Sequence, residues 1–231
     1  MKSFRICMQN IRKWGSNSRI KMCLIMSFLF VYSYISGMWK IIPLVGEKMN
    51  PWIFPFLFCW RFMKIVFMAP IVFIFCDAPF IDSNQSYVML RTSRKKWCFG
   101  QVLYIYAGSV IYAFVLFFST IIINIGHIKW GTSWGKVLGS AGTSTVLSTL
   151  GINYTTVKVP AIVIRYYTPA QAMFFSFLLM VLSFIFIGLL IYTVNVITKT
   201  NVAGTIIAGF FVILTAVVDG NQRLIWFSPI S

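Results

Sequence analysis

Apolar residues in this chain come in long runs, separated by shorter stretches in which the cations gather. Five runs stand out, at residues 22–39, 53–76, 99–125, 170–197 and 202–218. A helix that crosses ~30 Å of hydrocarbon needs about 20 mostly apolar residues. Most of the runs reach that length, and the first and last suffice with little tilt. Trp39, Trp52, Trp97, Tyr166, Tyr167 and Trp226 fall at the ends of runs, where amphipathic rings sit at a membrane interface. The pattern predicts an all-α fold, a polytopic transmembrane helix bundle of about five spans. Residues 1–21 form a leader and residues 22–231 a single transmembrane domain.

The leader has its own period. Phe4, Cys7, Met8, Ile11 and Trp14 recur at helical spacing, while Arg5, Gln9, Arg12 and Lys13 fall largely elsewhere around the helix. Such a helix lies flat in the interface with its cations toward anionic headgroups. Gly15-Ser16-Asn17 breaks it before the first run. It serves either as a topology anchor or as an elbow helix that also touches a partner. The first run is read as an uncleaved span, because no A-x-A site follows it and it exceeds a usual signal-peptide core.

Composition agrees. Hydrophobic residues make up 59% of the chain and charged residues 10%, whereas about a quarter of a soluble domain is charged. The net charge of +16 comes from 20 Lys and Arg against four acids. These cations lie largely between apolar runs, where they fix topology, so no nucleic-acid partner is expected. Lys2, Arg5, Arg12, Lys13, Arg19 and Lys21 precede the first run; Arg91, Arg94, Lys95 and Lys96 follow the second; Lys199 follows the fourth. By the positive-inside rule the N-terminus is cytoplasmic, and a multi-pass plasma-membrane location is expected.

Two clusters carry candidate chemistry. The inner loop 77–98 begins Asp77-Ala78-Pro79-Phe80, offers Asp82 or Ser83 as a cap for a short helix through Arg91, and ends in Arg91, Arg94, Lys95 and Lys96. It is either a basic anchor or a docking element that passes rigid-body motion to the spans. Arg61 and Lys64, three apart, share a face of the second run, with Arg61 roughly 12 Å from its start if the run is one helix. Either such charges snorkel outward, or residues 53–60 dip in only partway, or the pair lines a path suited to anionic headgroups or acidic peptide groups. The outer segment 124–169 is long and rich in Gly, Ser and Thr, with Trp130, Trp134 and residues 159–167 suggesting partial order. Gly188, Gly204 and Ala208 mark close helix packing.

Several chemistries are set aside. His127 is the only histidine, and Glu47, Asp77, Asp82 and Asp219 are not paired within a run. A His-based metal site and an intramembrane carboxylate couple are therefore not expected. The five cysteines, without CxxC spacing, read as small core hydrophobes. The segment Gly131-Thr132-Ser133-Trp134-Gly135-Lys136 has three residues between its glycines where a phosphate loop has four, and Val137 follows the lysine. No cofactor is expected in this chain, which is not read as an enzyme.

The order of these parts resembles the permease subunits of type-2 ATP-binding-cassette exporters, of the small bacterial six-span type. The likeness is carried by Tyr87-Val88-Met89-Leu90-Arg91-Thr92-Ser93-Arg94-Lys95-Lys96-Trp97 before the third run, by Tyr167-Thr168-Pro169-Ala170-Gln171-Ala172 before the fourth, and by Phe227-Ser228-Pro229-Ile230-Ser231. It implies an elbow helix at 3–14 and a coupling region with Asp77, Tyr87, Arg91, Arg94, Lys95 and Lys96 facing an ATP-binding subunit. It also implies a second permease chain, as a homo- or heterodimer. The family's sixth span is missing, so the resemblance implies a truncated sequence. The competing readings are a non-transporting immunity or assembly factor, a secondary transporter and an intramembrane enzyme.

Overall fold

The computed structural model describes residues 2–80, 92–142 and 157–218. Nine α-helices occur among them: α1 (Lys2–Arg12), α2 (Ser18–Ser36), α3 (Ile42–Val45), α4 (Arg61–Phe75), α5 (Arg94–Asn124), α6 (Gly135–Ala141), α7 (Ala161–Tyr166), α8 (Pro169–Thr198) and α9 (Ala203–Val218). Short 3₁₀ turns extend or join them, and the described residues contain no strand, only an isolated bridge between Met49 and Ile128. The fold is all-helical.

Local chemistry sets the boundaries. Asn17 caps α2 by accepting from the Arg19 N–H at 3.0 Å. Thr168 opens α8 with a capping box, Gln171 reaching back to the Thr168 N–H, and Pro169 fills a first-turn position where a missing N–H costs nothing. Lys199 ends α8 in the left-handed region at φ 53.

Three helical stretches are long and apolar enough to cross a membrane: Ser18–Val45, Arg94–His127 and Pro169–Thr198. Helices α4 and α9, at 15 and 16 residues, are shorter. The outward faces of these long and short helices carry large apolar side chains, including Phe73 on α4, Phe114 and Phe118 on α5, Leu179 on α8, and Phe210 on α9. Exposed apolar surface on this scale requires a lipid or protein neighbour.

The run 53–76 is not one helix. Phe54–Phe58 is a 3₁₀ turn, Trp60 is extended (φ −108, ψ 127), and α4 starts at Arg61. The break falls at Trp60 and not at a proline: Pro55 sits in the first turn of the 3₁₀ segment, where a missing N–H costs nothing, and Pro70 lies within α4. The loop 77–98 is also shorter than its sequence suggests, because α5 begins at Arg94 and takes in the basic cluster.

Helices α2, α4, α5, α8 and α9 pack around one core. Phe75 of α4 is fully buried between Gly108 of α5 and Gly188 of α8. A Cβ on Gly108 would lie 3.1 Å from the Phe75 ring, and one on Gly188 2.9 Å from it and 2.5 Å from Ile105. Tyr112 ties three helices: its hydroxyl donates to the Phe67 carbonyl of α4 at 3.0 Å and lies 2.9 Å from Ser27 of α2. Buried Asn195 near the end of α8 donates to Ala78 O and accepts from Gly204 N–H, both at 2.7 Å.

Gly204 allows this last contact, since a Cβ there would stand 2.4 Å from the Ile191 carbonyl oxygen, a backbone atom that cannot swing away. Gly209, on the same helix, has nothing within 4 Å of its Cβ position. Gly204→Ala is expected to destabilise the chain by about 1–3 kcal/mol through overpacking. Gly209→Ala is expected to be neutral or stabilising by up to about 1 kcal/mol. Thermal unfolding of the two variants in one detergent checks the contrast.

Candidate functional site

Polar residues gather at the two ends of the bundle. At one end α1 and the 3₁₀ turn that follows it, Lys13–Gly15, are fastened to the start of α5 by three side-chain bonds. Ser3 Oγ donates to the Lys96 carbonyl at 2.9 Å, Asn10 Nδ2 to Gln101 Oε1 at 2.9 Å, and Trp14 Nε1 to the Tyr104 hydroxyl at 2.8 Å. Ile6 sits on Gly100, where a Cβ would be 3.0 Å from Ile6 Cβ and 3.0 Å from the Ser3 carbonyl. The face of α1 that meets protein is therefore Ser3, Ile6, Cys7 and Asn10, while Phe4 and Met8 remain exposed. Sequence periodicity had grouped Phe4, Met8 and Cys7 on one face; an i, i+3, i+4 pattern on a helix with two apolar neighbours does not tell one from the other.

Beside this clamp, Arg19 of α2 forms a two-pronged pair with Asp77, one prong at 3.0 Å, joining the first turn of α2 to the turn that ends α4. The hydrogen bond from Arg19 holds the Asp77 carboxyl below its ordinary range. Asn10, Lys13, Asn17, Arg19, Asp77 and Tyr104 border a cavity of about 200 Å³. Arg94, Lys95 and Lys96 form the exposed first turn of α5. Cations at a helix N-terminus oppose the macrodipole, so this placement does not serve the helix itself.

At the opposite end the connections between helices are pinned by tryptophans. Trp39 donates to Asn124 at 3.0 Å and stacks on His127 at 4.8 Å. Trp52 donates to the Gly131 carbonyl at 2.8 Å and Trp134 to the Tyr167 carbonyl at 3.0 Å. Met49 pairs through backbone bonds with His127 and Lys129. Lys136 bonds Glu47 at 2.7 Å, which holds that carboxyl below its ordinary range. Among the described residues of the segment 124–169, these contacts hold residues 130–141 and 157–169.

The chain break at Trp60 puts Arg61 and Lys64 in the first turn of α4 instead of deep within a longer helix. The two diverge. Arg61 is exposed, its guanidinium 5.1 Å from the Phe62 ring. Lys64 is half-buried and lines a second cavity of about 190 Å³ with Phe58, Met68, Ser176, Leu179 and Ser183.

Of the residues singled out from the sequence, Asp77 joins Arg19; Arg94, Lys95 and Lys96 cluster on α5; and Lys64 reaches a cavity without Arg61. Tyr87, Arg91, Asp82 and Ser83 lie outside the described residues, as does the closing segment 226–231. Arg19, Asn10 and Asn195 were not singled out for a site, since only their partners far along the chain distinguish them. No group of three or more His, Cys, Asp or Glu comes together among the described residues. No family model, curated protein or solved structure matches the chain.

Side chains of Arg19 and Asp77 are 36% and 57% exposed, so the pair is screened, and a coupling of roughly 0.2–1 kcal/mol is expected from a double-mutant cycle of Arg19→Gln and Asp77→Asn. Because the folded carboxyl titrates below its unfolded value, this stability is present above the ordinary aspartate pKa of about 3.9 and is lost as pH falls through the lower folded value. Melting temperatures of wild type and Asp77→Asn should therefore converge only at acid pH, and a gap that is independent of pH down to pH 2 would contradict this.

Proposed function

We propose that this chain is the membrane-spanning permease subunit of an ATP-driven exporter, with its N-terminus in the cytoplasm of a bacterial plasma membrane. The observation that carries the reading is the fastening of α1 and the turn after it to residues 96–104 of α5. A segment held by three separated bonds moves with the helix it is fastened to. Force applied at the basic turn Arg94–Lys96 would reach both α1 and the long body of α5. In this reading α1 is the interfacial elbow helix, with Phe4 and Met8 toward lipid and Arg5 and Arg12 toward headgroups.

The segment from Asp77 to Lys96 is the coupling region, and Asp77 locks its start to α2. Five spans result if α4 and α9 are counted, α4 with the 3₁₀ turn before it completing the crossing. The cavity beside Lys64 is part of the substrate path. ATP is hydrolysed by a separate chain, and a second permease chain completes the transporter. Nucleotide binding then favours one arrangement of the bundles only through its different affinity for the two.

Solubilising the tagged chain from native membranes in mild detergent tests this. A stoichiometric soluble ATPase is expected to co-purify and to be lost when Arg91, Arg94, Lys95 and Lys96 are all replaced by Ala. A folded chain recovered alone would overturn the proposal and favour a non-transporting immunity or assembly factor.

A further inference from the structure

The short helix α7 turns apolar side chains away from the protein, and its attachments fix it in that posture. Before it, the Lys158 N–H donates to the Tyr34 hydroxyl of α2 at 3.4 Å, with Val157 and Val159 buried on either side. Along it, Val163 and Ile164 pack against the core, and a Cβ on Gly142 would stand 2.9 Å from Ile164 Cδ1. After it, Trp134 Nε1 donates to the Tyr167 carbonyl at 3.0 Å. With Val163 and Ile164 inward, Ile162 and Tyr166, four apart, share the outer side of the helix. They are 69% and 71% exposed. Arg165 flanks this strip, also exposed, its guanidinium 5.9 Å from the Tyr166 ring.

A single exposed isoleucine needs no explanation, but a continuous apolar strip does. The strip runs from α7 onto α8. Next to Tyr166, the exposed Tyr167 ring meets Phe175 edge-on at 6.3 Å, and Phe175 meets Phe174 at 5.8 Å. Both phenylalanines are exposed on a helix long and apolar enough to cross a membrane. Tyr167 and Thr168 are extended, so the chain changes direction there and α7 does not prolong α8. The length of α8 sets the level of the junction. Its 30 residues reach about 45 Å, which matches the ~40–45 Å of a bilayer with both headgroup regions included. The first turn of α8 therefore stands among headgroups, and α7 branches off at that depth.

From this geometry we infer that α7 is an interfacial anchor whose partner is the phospholipid bilayer. Ile162 and Tyr166 lie against lipid at the boundary between headgroups and acyl chains, where amphipathic rings are favoured, and Arg165 lies among the headgroups. Fixed to Tyr34 and Trp134, such a foot sets the depth at which the Pro169 end of α8 enters the membrane. This surface is independent of whether the chain exports anything, so the two proposals can fail separately.

The full chain is placed in phosphatidylglycerol nanodiscs with the photo-crosslinker p-benzoylphenylalanine at position 162, 166 or 179, one position at a time. Leu179, exposed further along α8, is the reference for a residue in hydrocarbon. After irradiation, intact-mass spectrometry should find the mass of one phospholipid added at 162 and at 166, in a yield comparable to that at 179. A crosslink to the chain itself, within one copy or between two, would show that protein covers this face and would overturn the inference. So would the absence of any adduct at 162 and 166 while 179 gives one. Both side chains point outward, so loss of folding at both positions would likewise show a packed face and count against it. The level is read separately. Arg165→Cys should react with a water-soluble maleimide, located by peptide mapping, and Leu179→Cys should not. An unreactive Arg165→Cys would place α7 inside the hydrocarbon and overturn its interfacial position.

Discussion

The close approach of α4, α5 and α8 around Phe75 governs much of this molecule. Two glycines, Gly108 and Gly188, leave the aromatic ring no spare room on either side. Helices in an apolar medium gain little from excluding lipid, so association depends on surface fit and a few internal hydrogen bonds. A large ring set against two positions without side chains supplies that fit. Once the three axes are held, Tyr104 lies against Phe75 and Phe80 and can take the Trp14 N–H, and Asn195 meets Ala78 and Gly204. The fastening of α1 and the order at the Asp77 turn both derive from this packing.

Buried polar groups do the rest of the specifying. Tyr112, Asn195, Asn124 and Gln101 are each nearly inaccessible, and each is bonded to a group on another element or an adjacent turn. An unsatisfied polar group in such an interior costs several kcal/mol by transfer. Each bond therefore excludes arrangements in which its partner is absent, fixing helix register where apolar packing alone tolerates sliding. Both ends have an ion pair and side-chain bonds between elements, Arg19–Asp77 at the α1 end and Lys136–Glu47 with Trp39–Asn124 at the other, where the N–H groups of Trp52 and Trp134 also bond backbone carbonyls.

Helix identity and the apolar medium were legible in the chain, and the reason is local. Runs such as 99–125 and 170–197 must satisfy every backbone group internally once in hydrocarbon, and only a helix does so within one segment. Thr168, Pro169 and Gln171 announced the start of α8 by chemistry confined to four residues. The basic cluster at 94–96 was visible as a charge pattern, although its place on α5 instead of in a loop was not. The run 53–76 misled, because hydropathy averages over its residues and does not register the extended backbone at Trp60.

The sequence by itself determined that the chain is helical and apolar enough to cross a membrane, and where its cations collect; it predicted about five spans, and three helical stretches of the described structure are long and apolar enough to cross. Those properties are sums over neighbouring residues. The tertiary structure alone decided which cations acquire partners or cavities. Arg61 and Lys64 are equivalent in the sequence, yet one faces outward over Phe62 and the other lines a cavity shared with α8. Arg19 looked like one of many leader cations until α4 brought Asp77 to it, 58 residues on. Such pairings depend on contacts between distant segments, and no local pattern encodes them.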